Sequence, residues 1–253
     1  MDKEVLYGKN AVLEAFRAGR KVHHLLVSYD TLKKEGELRN FIKNLPISHE
    51  VVDAKKLKQV ARQKYDVSGH LQGLIALVDA YEYISIDDLI RKCNTQKEPA
   101  FIIMLDGLED VHNLGAIIRS AEAFGVDAII IRKHGSVNLN GTVARLSAGA
   151  IEYVSVVQVT NLNRTVNRLK KVGIWFIASD ADASEDYREV DLRMPVCVVI
   201  GSEGRGIGRL LKEACDFSVH LPMAGRLRSL NASVAAALLM NEVYNQRNPI
   251  RNE

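Results

Sequence analysis

The sequence predicts an α/β protein whose larger part is a mostly parallel sheet covered by helices, preceded by a smaller α/β domain. Three observations carry this. Its 253 residues, at roughly 150 per domain, allow one large domain or two small ones. Short apolar runs of β type alternate with helical periodicity along almost the whole chain, and strands separated by helices imply right-handed crossovers in a parallel sheet. The alternation weakens once, between Tyr81 and Pro99, where a polar stretch is closed by proline. We therefore expect domains at 1–80 and 100–253, joined by a linker at 81–99.

In the first domain the spacing predicts helices over 10–18, 31–44 and 54–63, with strands at 22–27, 48–52 and 74–78. A short helix, 86–93, falls in the linker. In the second domain residues 101–105 are apolar throughout, as suits a strand buried on both faces. Further strands are expected at 128–131, 154–159, 174–178, 196–200 and 218–221. The helices between them fall at 114–124, 143–149, 162–171, 207–214 and 233–246.

Composition narrows the class. Hydrophobic residues make up 47% and charged ones 26%, which excludes a disordered or collagen-like chain. Apolar runs such as 196–200 fall far short of the ~20 residues a membrane span needs. The charged start Met1-Asp-Lys-Glu4 leads into no apolar signal region, so a cytoplasmic protein is expected. Cys93, Cys197 and Cys215 are widely spaced and form neither a disulfide framework nor a zinc pattern; no metal is expected. Residues 1–80 hold 14 Lys and Arg against 10 Asp and Glu, while 81–253 hold 20 against 21. The basic excess in the first third leans weakly towards a polyanionic partner, because clusters such as Lys55-Lys56-Leu57-Lys58 are usually solvated helix faces.

Ligands of open α/β sheets bind beyond the carboxyl ends of strands, and three such ends carry unusual residues. The first runs from Asp106 through Asn113 and Arg119 to Gly125. Asn113 suits a helix N-cap and Arg119 is spaced i, i+3 from Glu122, so a cap and a surface ion pair would account for both. The second is Gly201-Ser-Glu203-Gly-Arg-Gly206-Ile-Gly208. It lacks the lysine of a Walker loop and the spacing and later acid of a dinucleotide fingerprint, and Glu203 would repel phosphates. A plain glycine turn leaves Glu203 unexplained. The third is Leu221-Pro-Met223 followed by Arg226-Leu-Arg-Ser229-Leu230-Asn231-Ala-Ser233 and an Ala-rich helix; Ser229, Asn231 and Ser233 compete as its N-cap.

In this order and spacing the three segments resemble the three motifs of the SpoU (TrmH) family of RNA ribose 2′-O-methyltransferases, of the SPOUT class. The opening Tyr7-Gly-Lys-Asn-Ala-Val-Leu-Glu-Ala-Phe16 is similar to the start of that family's small substrate-binding module, related to the ribosomal protein L30e fold. Nearly the whole chain is thereby similar to the 23S rRNA guanosine branch, with Ala232 standing where valine is usual. The resemblance implies a deep trefoil knot at the carboxyl end, a homodimer, and S-adenosylmethionine held by Gly201, Leu221 and Leu230 with Met223 nearby. It also implies a catalytic set of Arg119, Asn113, Glu203, Ser229 and Asn231, with Arg119 acting on the 2′-hydroxyl.

The chemistry fits these residue types. A ribose hydroxyl is a poor nucleophile at neutral pH and needs a base or stabilisation of the developing alkoxide. Because a guanidinium holds its proton to beyond pH ~12, Arg119 is better suited to clamp a phosphate and stabilise an alkoxide than to act as a base. Arg226 and Arg228 suit phosphate contacts; His23, His24, Tyr153 and Trp175 are expected to pack. The expected activity is 2′-O-methylation of a guanosine in 23S rRNA, without membrane or DNA partners. The alternatives are a tRNA substrate and a non-catalytic RNA-binding ribosome-assembly factor, which would have no need of the full polar set.

Overall fold

A computed structural model of the chain describes residues 2–43, 47–226 and 229–249. Two compact units are present: residues 2–82 with Leu139–Tyr153, and Tyr83–Asn138 with the residues from Val154 onwards. The helix expected over 143–149 thus packs with the first unit although the chain reaches it from the second.

In the first unit, β1 (Lys3–Tyr7), β2 (Val22–Ser28), β3 (His49–Val52) and β4 (Leu74–Asp79) form a sheet in the order β1-β4-β2-β3. β4 runs antiparallel to β1 and β2, and β3 parallel to β2. β1 escaped the sequence reading because it is a short edge strand with an exposed charged start, the usual protection of an edge. The single helix expected over 31–44 is two, α2 (Tyr29–Lys34) and α3 (Gly36–Lys43), separated by extended Glu35 before a glycine of low helix propensity. α1 (Lys9–Arg17) and α4 (Ala54–Tyr65) complete the N-terminal part. Tyr7, Leu26, Leu57 and Ile75 belong to its buried core.

The segment Leu139–Tyr153 adds α7 (Gly141–Leu146) and a 3₁₀ turn, Ala150–Glu152. Gly141 lies against β1 so closely that a Cβ there would come within 2.0 Å of the Val5 carbonyl oxygen. Tyr7 and Thr142 share a 2.7 Å hydroxyl hydrogen bond. Arg20 pairs with both Glu4 and Glu152, all three side chains being largely buried.

The second unit opens with α5 (Ile86–Thr95), started by a capping box between Ser85 and Asp88. Its sheet comprises β5 (Phe101–Asp106), β6 (Ala128–Arg132), β7 (Ser155–Val159), β8 (Trp175–Ser179), β9 (Glu185–Asp186), β10 (Val196–Gly201) and β11 (Phe217–His220). The strand order is β7-β6-β5-β10-β8-β11-β9, and each neighbouring pair is parallel. All six residues of β5 are buried, so its apolar run is the sequence trace of a strand covered on both faces. Each such buried aliphatic stabilises the fold by roughly 1.5–3 kcal/mol. α6 (Val111–Ala123), α8 (Leu162–Lys170), α9 (Arg209–Glu213) and α10 (Ala232–Arg247) cover the sheet.

From β5 the chain builds outward through β6 and β7; from β10 the sheet continues the other way through β8 and β11. β5 and β10 are therefore the topological switch point, where an open parallel sheet leaves a crevice beyond its carboxyl ends. There Asp106 and Gly201 are register partners.

Candidate active site

Two loops leave that switch point side by side. After β10 the chain folds back at once: Ser202 and Gly206 exchange backbone hydrogen bonds of 2.8 and 3.2 Å. Gly201 must be glycine, because a Cβ would lie 2.1 Å from the Gly206 carbonyl carbon. Gly206 has φ +65°, the left-handed region that glycine adopts without strain. The loop ends at Gly208, the N-cap of α9, which has no side chain with which to cap the helix. Its N–H is taken by the Asp106 carboxylate at 2.8 Å, and Arg132 pairs with the other oxygen at 2.6 Å. Asp106 is buried, so this is a charged group desolvated to hold the glycine loop against β5 and β6. The sequence reading assigned it no role.

After β5 the N-cap of α6 is Asp110, which accepts from the His112 N–H, so the cap expected at Asn113 begins three residues earlier. Displaced into the first turn and buried, Asn113 has its amide free for another use. It donates to Glu203 at 3.0 Å and accepts from Asn231 at 2.9 Å. Asn231 also donates to the same Glu203 oxygen. These bonds close a ring of three residues drawn from three separate segments. Among the three competing caps Asn231 is the one used: its oxygen accepts from the Ser233 and Val234 N–H groups while its nitrogen reaches the ring.

Through Glu203 the ring borders two cavities. The larger, of about 320 Å³, is lined by Gly201, Leu221, Met223, Ser229 and Leu230 together with Glu203. The smaller, of about 270 Å³, is lined by Glu109, Asn113, Glu203 and Arg205. Glu203 borders both. The expected cofactor residues Gly201, Leu221, Met223 and Leu230 thus meet around one cavity. Asn113, Glu203 and Asn231 meet in one network, with Ser229 on the larger cavity's wall.

Arg119 does not join them: it is exposed on α6, six residues past Asn113, and pairs with no described residue, so the ion pair allowed with Glu122 does not form. Of the two arginines expected at phosphate, Arg226 is exposed and Arg228 lies outside the described residues. Tyr153 is half exposed and donates to Glu14 at 2.6 Å. Burial pushes the Cys215 thiol up to about 12 and the Cys197 thiol well above its ordinary value, so neither is a nucleophile at neutral pH. Among the described residues no cluster of three or more His, Cys, Asp or Glu is placed to hold a metal, and no helix is long and apolar enough to cross a membrane.

Fold and cavity together describe an α/β protein with a small-molecule-sized cavity at the switch point of a parallel sheet, beside a ring of three polar side chains. Comparison with known proteins gives that class its family. Residues 100–241 match the model of the SpoU rRNA Methylase family, and residues 5–84 that of the RNA 2′-O ribose methyltransferase substrate-binding domain. The chain is 47% identical to YacO of Bacillus subtilis (strain 168), a TrmH-family protein named for tRNA/rRNA methyltransferase activity, over 98% of this chain and 97% of that protein. A crystal structure of an RNA 2′-O ribose methyltransferase, 29% identical, superposes with a TM-score of 0.78 over 97% of this chain and 89% of that one. The SpoU methyltransferase AviRb of Streptomyces viridochromogenes, in complex with AdoMet, shares the fold at 23% identity, with a TM-score of 0.79 over 97% and 90% of the two chains. The chain belongs to the SpoU rRNA Methylase family, and so to the S-adenosylmethionine-dependent RNA methyltransferases.

Proposed function

We propose that the protein methylates the ribose 2′-hydroxyl of a guanosine in 23S rRNA, working as a homodimer in the cytoplasm. The observation that carries the reading is the Asn113–Glu203–Asn231 ring, whose Glu203 borders both a cofactor-sized cavity and a second recess. The chemistry of the larger cavity fits S-adenosylmethionine. Its volume falls at the lower end of the ~300–1,000 Å³ of small-molecule sites; Leu221, Met223 and Leu230 offer apolar surface, and glycine at 201 lets backbone approach backbone. When bound, the cofactor supplies a methyl group already activated by its sulfonium.

The chain's own residues then have to bring a hydroxyl into line with it and stabilise the charge that develops on the oxygen. Glu203 has one carboxylate oxygen occupied by the two asparagines, and the other free to accept from a ribose hydroxyl. Asn113 and Asn231 fix that carboxylate, and positioning of this kind can supply a large part of a rate enhancement. Arg119, exposed and without a described partner, is available to clamp a substrate phosphate and to stabilise the alkoxide. Ser229 faces the cavity and adds a hydroxyl that both donates and accepts.

Residues 1–80 serve in this reading as the RNA-binding module and 100–253 carry the catalytic domain, with a trefoil knot at the carboxyl end; the stretch 81–99, expected as a linker, holds α5, which packs in the second unit, and residues 139–153 pack with the first. The match of residues 5–84 to a substrate-binding model supports the RNA-binding module. Val234 and Leu238 support the homodimer: they stand i, i+4 on α10 and are 47% and 39% exposed, an apolar stripe that a second copy would cover.

Transfer of radiolabelled methyl from S-adenosylmethionine to separated, unmodified 23S rRNA, 16S rRNA and tRNA tests the substrate. Label recovered as 2′-O-methylguanosine in 23S rRNA is the expected result; label in tRNA would overturn the substrate and keep the chemistry. Arg119→Ala is expected to abolish transfer while cofactor affinity stays within about twofold; retained turnover would remove Arg119 from the reaction.

A further inference from the structure

A third recess, of about 280 Å³, adjoins the smaller of the two cavities that Glu203 borders. The two share Gly107, Glu109, Ser202 and Arg205, and the recess runs on from these to Arg132 and His134 at the end of β6. Its walls are braced. The Val137 N–H donates to the Leu108 carbonyl at 3.0 Å, which ties the loop after β5 to the loop after β6. Asp106 is occupied by Arg132 and the Gly208 N–H, and the Ser202 backbone by Gly206.

Two side chains shared by both spaces are left unpaired. Glu109 and Arg205 are exposed and carry opposite charges, yet neither pairs with the other or with any described residue. Opposite charges held apart in one recess suit a ligand that both donates and accepts, rather than a bare anion. A phosphate would meet Arg205 and His134, but also the Glu109 carboxylate, and Asp106 already neutralises Arg132.

The place of the recess narrows the ligand further. Glu203, whose second oxygen is free to accept the reacting 2′-hydroxyl, borders the adjoining cavity. The base of a nucleotide hangs from C1′, the carbon next to the one that bears that hydroxyl. With the cofactor in the larger cavity, the base of the target nucleotide has this recess beside it. Among the RNA bases guanine alone sets two donors side by side, N1–H and the N2 amino group, which a carboxylate accepts as a pair. Its O6 and N7 are neighbouring acceptors that match the fork of an arginine. On the corresponding edge adenine and cytosine set a donor next to an acceptor, and uracil a donor between two acceptors.

We propose that this recess takes the base of the target nucleotide and that Glu109 and Arg205 read it as guanine. The carboxylate accepts from N1–H and N2, and the guanidinium donates to O6 and N7, as pockets for extruded bases read a base by its edges. The inference rests on the reading of the protein as a guanosine ribose methyltransferase. It assigns the choice of base to two residues outside the Asn113–Glu203–Asn231 ring.

The test uses the full-length protein and an unmodified transcript spanning the nucleotide to which radiolabelled methyl maps. That position is made guanosine, inosine, which lacks the N2 amino group, or 7-deazaguanosine, which lacks N7. With the unaltered protein kcat/KM is expected to fall roughly 10- to 100-fold for inosine, the range of one lost hydrogen bond to a charged group. Glu109→Ala is expected to lower kcat/KM for guanosine by a similar factor and to bring the guanosine-to-inosine ratio within about twofold of one, with cofactor affinity unchanged. Arg205→Ala is expected to level the ratio of guanosine to 7-deazaguanosine and to leave the inosine ratio in place. A Glu109→Ala variant that slows on every substrate alike and keeps its preference for guanosine over inosine overturns the inference. So does methyl mapped to a nucleoside other than guanosine. Guanosine and inosine 5′-monophosphates, titrated into the protein by calorimetry, give a readout without turnover: tighter binding of the guanosine nucleotide, abolished in Glu109→Ala, is expected, and equal binding overturns the inference. Failure of the unaltered protein to methylate any RNA overturns the enzymatic reading instead, and the mononucleotide ratio still decides the role of the recess.

Discussion

Glu203 is exposed, yet two asparagines hold one of its oxygens, from segments 90 residues before it and 28 after it. Glu203→Gln keeps the shape and removes the charge that draws both amides in. Methyl transfer is expected to fall about a hundredfold while the cofactor dissociation constant stays within about threefold, measured by steady-state kinetics and calorimetry on the same preparation; equal losses in both would make the ring a part of the cofactor site. Gly201→Ala should behave in the opposite way. Its Cβ meets backbone that cannot give way, so cofactor binding should drop by more than a hundredfold, and calorimetry reads this directly. Glu203 stands out in the sequence because an acid inside a glycine loop is conspicuous, whereas Gly201 is singled out only by the family resemblance. Asp106 was another matter. Its partners are Arg132 and the backbone of Gly208, 102 residues on, and nothing local to an aspartate at a strand end says that it will reach across to the neighbouring strand's loop.

At the scale of elements, period and composition located the cores of most strands and helices and erred where a boundary or a tertiary contact decided. α6 starts at Asp110 and not at Asn113 because either side chain can cap, and only the ring of Asn113, Glu203 and Asn231 decides which one is left free. β9 is two residues long and too short to leave a pattern. The packing of α7 on β1 rests on Gly141 and on Arg20, whose guanidinium serves Glu4 and Glu152 together. Burial raises both carboxyls above their ordinary value, and Arg20 opposes the shift. Arg20→Met would leave two buried acids without their cation, at a cost of about 3–5 kcal/mol. The sign of the accompanying pH dependence follows from linkage. With native values raised, the folded state keeps protons that the unfolded chain has released, so the variant is most stable below the ordinary carboxyl range and weakens as pH rises through the raised values. Thermal melts between pH 4 and 8 should show that slope steeper in Arg20→Met than in the unaltered protein; a parallel pair of curves would mean that the acids do not depend on Arg20.

For the whole molecule, the alternation of strands and helices was enough to indicate an α/β protein, whereas the polar stretch before Pro99 lies inside the second unit, which begins at Tyr83. The excursion of residues 139–153 into the first unit was not visible, since membership of a unit is settled by contacts between residues more than a hundred positions apart. It changes what a truncation means. Deleting residues 1–80 removes the partners of Thr142 and Glu152 and uncovers Val143 and Ala144, which are fully buried. Hydrogen exchange on such a variant should show the amides of α7 losing protection while those of β5 and β10 keep theirs. Loss of RNA binding in the deletion would therefore mix the absence of a module with the local unfolding of a segment.

The same excursion bears on how the protein is made. A domain that is contiguous in sequence can close as soon as its last residue leaves the ribosome, whereas here the first 82 residues wait for a segment that ends at Tyr153, 71 residues later (153 − 82). At the usual ~5–20 residues per second of synthesis, that delay is roughly 4–14 s. Throughout it the face of β1 that receives Gly141 is bare, on a nascent chain still tethered to the ribosome.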